Sequence, residues 1–333
     1  MNQLIVINKN NHFISALASD FDILEFAISA TKKDEVTFNI DDVIIGKVTR
    51  VIKDQNYAFV EIFPGISAYL ALKENMKPIY VNGKQGGMPI QGDLLLVRIN
   101  KLPEKTKGYS VVCNLPEEAD SYDIVDRGMH GISYERVYKG TPDYLLPLTY
   151  GNVERIQTDN MDAYNEIEAY LQGRDLSMRP ELKFYEDEVM KLDNLYSVST
   201  TLEDALKKKV WIKNGGYLVI ERTEALTVID VNSGNDIKSK DPLRVNIEAA
   251  KKAAAEIRLR NISGMILIDF INMKKGLEPE LLNIMRAELK NDPLKPIAID
   301  ITKLGLMEIT RKRTAPPLWE QEHSVSGSRV AGA

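Results

Sequence analysis

Residues 226–232 read LTVIDVN and residues 264–271 read GMILIDFI, and these two apolar stretches indicate the fold of the last third of the chain. Each contains an apolar run that ends in Ile-Asp, although aspartate is depleted in strands. The alanine-rich residues 242–261 lie between them and strongly favour a helix. Strand, helix and strand in succession predict an α/β unit. The second run has almost no polar alternation, which predicts a strand buried on both faces.

The flanking segments extend this unit in both directions. Asn214-Gly215-Gly216 separates the strand-like runs KKVWI and YLVIERT, which predicts a hairpin. Asp241 followed by Pro242 is typical of a helix N-cap and first helical position. A helix over 279–291 and a strand over 296–301 are predicted after the second apolar run.

Short β segments dominate the first third of the chain. Residues 3–28 predict strands that turn at Asn10 and Asn11. Five strand-like runs between residues 37 and 115 are separated by turn-forming sequences, and they favour a small closed barrel over a sandwich. Further along, residues 153–172 predict a strand followed by an amphipathic helix.

Composition sets the broad class of the protein. The length of 333 residues predicts two or three domains. A composition of 44% hydrophobic and 27% charged residues is that of a globular protein, and it excludes collagen, coiled-coil and wholly disordered proteins. No apolar run approaches the roughly 20 residues of a membrane span, and the N-terminus shows no signal-peptide pattern. Cys113 is the single cysteine, which excludes an internal disulfide and a cysteine-based zinc cluster and predicts a reducing, cytoplasmic setting.

Charge is distributed unevenly along the chain, although its net value is −5. Residues 117–200 hold 8 Lys or Arg against 18 Asp or Glu, whereas residues 201–333 hold 22 against 18. Because the last third is basic, the acidic total does not argue against a nucleic-acid partner.

Asp230 and Asp269 are the candidate catalytic side chains, since each ends a predicted strand. Ligand sites of α/β sheets lie beyond the carboxyl ends of the strands. Two aspartates there, with Asn232 nearby, would form an all-oxygen site of the kind that Mg²⁺ or Mn²⁺ prefers, and zinc is not expected. The alternative is structural, because Asp and Asn are also common turn formers.

Basic and aromatic residues complete the candidate site. Basic clusters of the last third suit a phosphodiester substrate, although each also fits a solvated face or a helix C-terminus: Lys207 to Lys209, Arg258 with Arg260, and Lys303 with Arg311, Lys312 and Arg313. Phe59 and Tyr69 lie on strands of the predicted barrel, where aromatic rings can stack unpaired bases. The alternative for Phe59 is a place in the barrel core.

Longer motifs carry a resemblance to a known family. Three segments around the aspartates closely resemble the catalytic region of the bacterial ribonuclease E/G family: ERTEALTVIDVNSG, NIEAAKKAAAEIRLRNISGMILIDFINM and KLGLMEITRKR. KKVWIKNGGYLVI belongs to the same match, and IIGKVTRVIKDQNYAFVEI resembles the S1 RNA-binding domain of that family. The length of these motifs favours the catalytic reading of the aspartates over the structural one.

The resemblance implies an endoribonuclease that cuts single-stranded RNA with Mg²⁺ and leaves a 5′-phosphate and a 3′-hydroxyl. It implies that Asp230 and Asp269 bind the metal with support from Asn232. The S1 aromatics and lysine of the family correspond to Phe59, Tyr69 and Lys107. An RNA-binding protein with little nuclease activity is the alternative, and a DNase or general phosphodiesterase is a weaker one.

The resemblance also implies a multi-domain α+β fold in which a barrel interrupts an RNase H-like core. The predicted domains are the first part of that core (1–36), the S1 or OB-fold barrel (37–116), a remnant of the 5′-sensor segment (117–142), the second part of the core (143–200), a DNase I-like catalytic subdomain (201–320) and a disordered tail (321–333).

The chain departs from the family in three respects. GISYER at 131–136 resembles the opening of the 5′-sensor segment, but the Arg-Thr loop that holds a 5′-monophosphate does not follow. The zinc-link cysteines and the C-terminal small domain of the family have no counterpart among these residues, so no zinc-linked dimer is expected and the oligomeric state is left open. Asn272 replaces a common second aspartate and is expected to weaken the surroundings of the metal site.

Overall fold

The computed structural model of the chain describes residues 1–29, 38–103, 108–116, 121–172, 174, 179–187, 189–234 and 241–326. These residues form seventeen strands: β1 (Asn2–Lys9), β2 (His12–Ser19), β3 (Asp22–Ile28), β4 (Val43–Ile52), β5 (Tyr57–Phe63), β6 (Ile66–Ala71), β7 (Leu94–Lys101), β8 (Tyr109–Val112), β9 (Arg136–Tyr138), β10 (Arg155–Thr158), β11 (Glu181–Phe184), β12 (Lys209–Trp211), β13 (Tyr217–Arg222), β14 (Leu226–Asn232), β15 (Gly264–Asp269), β16 (Ile297–Ile301) and β17 (Leu306–Arg311). They also form seven α-helices: α1 (Ser121–His130), α2 (Met161–Gln172), α3 (Leu192–Tyr196), α4 (Val198–Ala205), α5 (Pro242–Leu259), α6 (Glu278–Leu289) and α7 (Leu318–Ser326). None of the helices in this part of the chain is long and apolar enough to cross a membrane.

The chain divides into two compact units. The first comprises Met1–Ala30, Leu146–Tyr164 and Pro180–Ala333, and the second comprises Thr31–Leu145 and Asn165–Arg179. The predicted fold class is confirmed, since the structure is a mixed α/β protein with a closed five-stranded barrel. The predicted domain boundaries stay predictions.

The N-terminal sheet of the first unit has the strand order β11-β10-β1-β2-β3. The predicted hairpin turn at Asn10 and Asn11 is confirmed, because β1 and β2 pair in antiparallel register around it. Both asparagines have positive φ, 54° and 64°, which is the geometry of a two-residue turn that matches the twist of the strands. Helices α3 and α4 and Leu318 pack on the apolar face of this sheet.

The second unit is built on the barrel, in which β4 pairs with both β5 and β7 and the strands β5-β6-β8-β7-β4 close on themselves. Its interior is apolar and includes Cys113, whose burial raises the pKa of the thiol to about 12. The strand β9 adds to β4. The predicted sensor remnant therefore contributes structure to this unit: Tyr134 donates its hydroxyl to Glu61 Oε2 at 2.5 Å.

The C-terminal sheet of the first unit has the strand order β12-β13-β14-β15-β17-β16. The predicted hairpin is confirmed, with β12 and β13 antiparallel, and β14 and β15 are parallel neighbours. Helix α5 provides the crossover between β14 and β15. It begins as predicted, because Asp241 Oδ1 accepts a hydrogen bond from Leu243 N and Pro242 occupies the first turn.

The prediction that β15 is buried on both faces is wrong. Ile266 and Ile268 are fully buried beneath α5 and α6, whereas Met265 on the other face is 55% exposed. Both helices contribute side chains to a single core, so one face of the sheet is covered and the other is open in the described part of the chain. The apolar run therefore did not distinguish a two-sided burial from an open face that carries apolar side chains.

The prediction of a disordered tail from residue 321 is wrong for residues 321–326, which belong to α7. Gln321 Oε1 accepts a hydrogen bond from Ile28 N, and its Nε2 donates to Pro316 O. This side chain ties the helix to β3. Residues 327–333 lie outside the described residues.

Candidate active site

The candidate active site is the end of the C-terminal sheet at which β14 and β15 finish, and we call it the carboxyl end. Asp230 and Asp269 are paired in the parallel register of these strands, so their Cα atoms lie about 4.8 Å apart. Ile229 and Ile268 precede them and are buried, so both aspartates project from the open face and are exposed. The prediction that two strands bring these carboxylates to one edge is therefore confirmed.

Asn232 supports one of the two carboxylates. Its Nδ2 donates a hydrogen bond to Asp230 Oδ2 at 2.7 Å. The two residues lie on the same face because they are two positions apart on β14. Asn232 therefore fixes the orientation of the Asp230 carboxylate and leaves the other oxygen, Oδ1, available to a ligand.

The residues at the carboxyl end fit Mg²⁺. Two exposed carboxylates on neighbouring strands match a cation that is held by one or two carboxylates, waters and substrate phosphates. Zinc fits less well, because it prefers nitrogen and sulfur ligands and the carboxyl end offers oxygens. The described residues contain no cluster of three or more His, Cys, Asp or Glu, so a metal at this pair would need waters or substrate as further ligands. Asn272 lies three residues beyond Asp269 and is exposed.

Four lysines lie in the loops that follow β12, β15 and β16 at the carboxyl end. Lys303 is in the turn between β16 and β17, beside Leu306, which is the register partner of Asp269. The full set is exposed, and no ion pair within the described ranges involves any of its members: Lys213, Lys274, Lys275 and Lys303. Exposed lysines that lack a carboxylate partner offer their charge to a phosphate. Among the predicted RNA contacts Arg258, Arg260, Lys303, Arg311 and Arg313, Lys303 is the one that the fold places beside the carboxylates.

The four predicted arginines lie at the other end of the same strands, which we call the amino end. Arg311 is the register partner of Gly264, the first residue of β15, and is therefore roughly 16 Å along the strand from Asp269. Arg258 and Arg260 end α5, which returns to the start of β15. The direction of a crossover helix thus separates these arginines from the aspartates.

Arg311 is a structural residue, so the prediction that it contacts RNA is wrong. Its side chain is fully buried and its Nε donates to Asp292 Oδ2 at 2.6 Å. Its Nη1 donates to Asn261 Oδ1, also at 2.6 Å. Asp292 and Asn261 are themselves buried, so their hydrogen bonds with the guanidinium keep all three polar groups paired inside the protein.

Arg260 is structural for the same reason, and its predicted RNA contact is also wrong. It is 3% exposed, its Nε donates to Glu256 Oε2 at 2.6 Å, and its Nη1 donates to Lys207 O at 2.7 Å. A guanidinium that is satisfied within the protein cannot also bind a phosphate.

Arg258 and Arg313 occupy the rim of the amino end. Arg258 donates from Nη1 to Asn291 O, its Nε lies 3.7 Å from Oε2 of the buried Glu25, and its contact with RNA stays a prediction. Burial raises the pKa of Glu25, although Tyr150 and the arginines oppose this. Arg313 is exposed and donates from Nε to Ser263 Oγ, and its contact with RNA stays a prediction.

The barrel carries a separate aromatic patch. Phe59 and Tyr69 are register partners on β5 and β6, and Tyr57 lies against both rings, with centroids 5.4 Å from Phe59 and 5.1 Å from Tyr69. Ala58 and Val60 alternate with these rings and are fully buried. Phe59 is therefore on the outer face of the barrel and is not a core residue.

Two further residues bear on this patch. Arg50 is exposed and is the register partner of Phe59 on β4, so it places a positive charge beside the rings. Lys107, the predicted phosphate contact, lies outside the described residues. The sequence reasoning missed Tyr57, which could have been found because it shares the two-residue alternation of Phe59.

Asp300 is a third aspartate that the sequence reasoning missed. Both β15 and β16 pair antiparallel with β17, so β16 runs parallel to β15 and its Ile-Asp pair also points toward the carboxyl end. Because β17 lies between them, Asp300 is two strands from Asp269, about 10 Å away. Its Oδ1 accepts a hydrogen bond from Ile301 N.

Comparison with known proteins places the candidate site within a segment that matches a known family. A sequence model of the ribonuclease E/G family matches residues 141–314, which include both aspartates and Asn232. A chloroplastic ribonuclease E/G-like protein of Arabidopsis thaliana is 36% identical over 217 residues, which are 61% of the chain and 21% of that protein. Ribonuclease E of a Nostoc species is 36% identical over 180 residues (51% and 26%), and ribonuclease G of Haemophilus influenzae is 36% identical over 172 residues (50% and 35%). The aligned stretches thus span between about a fifth and a third of the length of these curated relatives.

Proposed function

Because the chain belongs to the ribonuclease E/G family, we propose that it is a Mg²⁺-dependent endoribonuclease acting on single-stranded RNA. The observation that carries the proposal is the register pair of Asp230 and Asp269, exposed side by side on the open face within the family segment. Hydrolysis is proposed to leave a 5′-phosphate and a 3′-hydroxyl. Mn²⁺ is the alternative metal, and the cytoplasmic location predicted from the sequence is part of the same proposal.

Asp230 and Asp269 would hold the Mg²⁺ or Mn²⁺, which would supply polarisation of the phosphate and a lowered pKa for an attacking water. Asn232 keeps the Asp230 carboxylate in a fixed orientation through its 2.7 Å hydrogen bond, so little reorganisation is needed when substrate binds. Lys303 and the other lysines of the carboxyl end offset the negative charge of the phosphate backbone.

The barrel is proposed to bind RNA at its aromatic patch. Phe59 and Tyr69 present ring surface on which unpaired bases stack, and Tyr57 buttresses both rings. Arg50 and the predicted Lys107 would contact phosphates there. Such contacts depend little on base identity, so they add affinity more than sequence preference.

The proposal is tested with an end-labelled, AU-rich single-stranded RNA incubated with Mg²⁺ or with EDTA. We expect fragments only with Mg²⁺, and we expect Asp269→Asn to lose at least about 10²-fold in rate while RNA binding is retained. The matched control is Asp204→Asn on α4, which removes the same charge from an exposed site paired with Lys207 and should cut normally.

Three results would contradict parts of the proposal. An RNA that is shifted on a gel but never cut would favour the RNA-binding alternative. Full activity of Asp269→Asn would remove the metal-site assignment, and equal cutting of DNA would point to a general phosphodiesterase.

Because the Arg-Thr sensor loop is missing from the sequence, 5′-monophosphorylated and 5′-hydroxylated RNA should be cut at similar rates.

A further inference from the structure

Three side chains on the open face of the C-terminal sheet form a cluster that we call the Trp211 platform: Lys209, Trp211 and Tyr217. Trp211 and Tyr217 are register partners on β12 and β13, and their ring centroids are 5.5 Å apart with an interplanar angle of 67°. Lys209 Nζ lies 4.2 Å from the Trp211 ring and 3.7 Å from the Tyr217 ring. One ammonium group therefore contacts two aromatic rings.

The exposure of Trp211 is not required by the fold. Its indole is 62% exposed, whereas its neighbours Val210 and Ile212 pack against the core of the sheet. These neighbours hold β12 in place without help from the indole. Large aromatic side chains left in water on a rigid strand are typical of binding surfaces.

The platform lies next to the candidate catalytic residues on the same face. Tyr217 is the register partner of Asn232, and Val219 is the register partner of both Asp230 and Lys209. Tyr217 is thus one strand, about 4.8 Å, from Asn232, and Trp211 is one strand further. A nucleotide adjoining a phosphate at the aspartates lies within reach of these rings.

The charge of Lys209 is not neutralised by a carboxylate among the described residues. Its contacts are the two rings, which attract a cation through their π-faces but leave its charge in place. A positive charge beside stacking surfaces is the combination that binds single-stranded nucleic acid.

We propose that the Trp211 platform binds the unpaired nucleotide adjacent to the scissile phosphate, an inference that rests on the proposed function. The base stacks on Trp211 and is bordered by Tyr217, and Lys209 contacts the phosphate of that nucleotide. The ligand class is a nucleobase of single-stranded RNA, and stacking favours no particular base strongly.

A protein surface is a less suitable occupant than RNA. Other apolar side chains on this face, such as Met265 and Ile297, are also exposed and could be covered by a second copy of the chain. However, the platform has a lysine at its centre, and lysine is depleted in the cores of protein interfaces. Its position beside the aspartates likewise favours the substrate.

The test uses the full chain with Trp319→Phe, which leaves Trp211 as the single tryptophan. Trp319 Nε1 has no hydrogen-bond partner in the described ranges, so Phe removes no hydrogen bond there and keeps an aromatic ring against the core and Arg222. Labelled RNA is titrated in EDTA, so that it stays intact, and binding is read by anisotropy and by Trp211 fluorescence. The variants are Trp211→Ala, Trp211→Phe and, as a matched control, Ile297→Ala at the amino end of the same face, 61% exposed in the parent.

We expect RNA to quench Trp211, Trp211→Ala to weaken RNA binding about tenfold, and Trp211→Phe to recover most of the loss because it keeps a stacking face. The Ile297→Ala control should bind like the parent.

Equal affinity of Trp211→Ala and the parent would overturn the platform and leave the proposed nuclease intact. A sedimentation coefficient that changes in Trp211→Ala, while the RNA affinity stays the same, would show that a second copy of the chain covers this face. That result would also overturn the proposal. Conversely, RNA binding that depends on Trp211, in a chain that never cuts with Mg²⁺, would support the platform and contradict the proposed function.

Discussion

The two ends of the C-terminal sheet carry the same kinds of polar side chain and use them in opposite ways. At the carboxyl end, Asp230 and Asp269 are exposed, and Asn232 donates a hydrogen bond to Asp230. At the amino end, Asp292 and Arg311 are buried and hydrogen-bonded to each other. A buried charge is stable only when it is paired, whereas an exposed carboxylate remains available to a ligand. The comparison shows that residue type alone does not separate a structural from a chemical role, and that burial with pairing does.

The largest effect is expected for Arg311→Met. The substitution keeps most of the side-chain volume but leaves the Asp292 carboxylate, which is 4% exposed, without its counter-charge. Loss of one partner of a buried ion pair destabilises a protein by about 3–5 kcal/mol. Urea denaturation followed by circular dichroism would measure this, and an unfolding midpoint equal to that of the parent would contradict the structural assignment.

A double variant makes this test specific. Arg311→Met combined with Asp292→Asn removes both charges, so it should recover part of the stability lost in the single variant. The cleavage rate of the single variant, divided by its folded fraction, should equal that of the parent, because Arg311 is roughly 16 Å from Asp269. A loss of activity greater than the loss of folded protein would return Arg311 to the active site.

The next prediction concerns how the stability of the protein depends on pH through Glu25. Its Oε2 lies 3.7 Å from Nε of Arg258 at the amino end. Burial raises the pKa of Glu25 above its ordinary value of 4.5, in spite of the hydrogen bond from Tyr150. The unfolded chain therefore loses this proton first, and stability falls as the pH rises from 4.5 through the raised pKa, by about 1.4 kcal/mol per pH unit in that window. Glu25→Gln should remove this decline. The free energy of unfolding is measured at pH 5 and at pH 8. A difference between the two pH values that is the same in the parent and in Glu25→Gln would contradict the raised pKa.

The sequence predicted the elements of the C-terminal sheet but not how each end uses its charges. Local chemistry determines the Asp241 N-cap and the Asn10-Asn11 turn, and both were found where the sequence placed them. The pairing of Arg311 with Asp292 depends on tertiary register, which a single sequence does not show. The location of Arg258 and Arg260 could have been inferred, because a crossover helix that leaves the carboxyl end of one strand must end beside the start of the next. The same lack of tertiary information explains the error over β15, since no pattern within an apolar run reveals which face the helices cover.

A smaller effect of opposite sign is expected at the carboxyl end. Two carboxylates that face each other across neighbouring strands repel, so Asp230→Asn should stabilise the metal-free chain by about 0.5 kcal/mol. The Asn side chain can still accept the hydrogen bond from Asn232. In thermal unfolding, Mg²⁺ should raise the Tm of the parent and not that of the variant. Destabilisation by Asp230→Asn would show that this carboxylate has a structural partner and would weaken the contrast between the two ends.

The smallest effect is expected for Asp300→Asn, which removes a third aspartate from the carboxyl end. Asp300 follows the same Ile-Asp pattern on a strand of the same direction, but β17 separates it from Asp269. At about 10 Å it is too far to share a metal with the aspartate pair, yet close enough to repel a phosphate backbone. Its removal should therefore leave the cleavage rate within about twofold and tighten RNA binding slightly at low salt, as measured by single-turnover cleavage and by anisotropy at 50 mM and 200 mM salt. A loss of activity like that of Asp269→Asn would instead extend the catalytic group across three strands, and register with the neighbouring strand would no longer be what selects the catalytic aspartates.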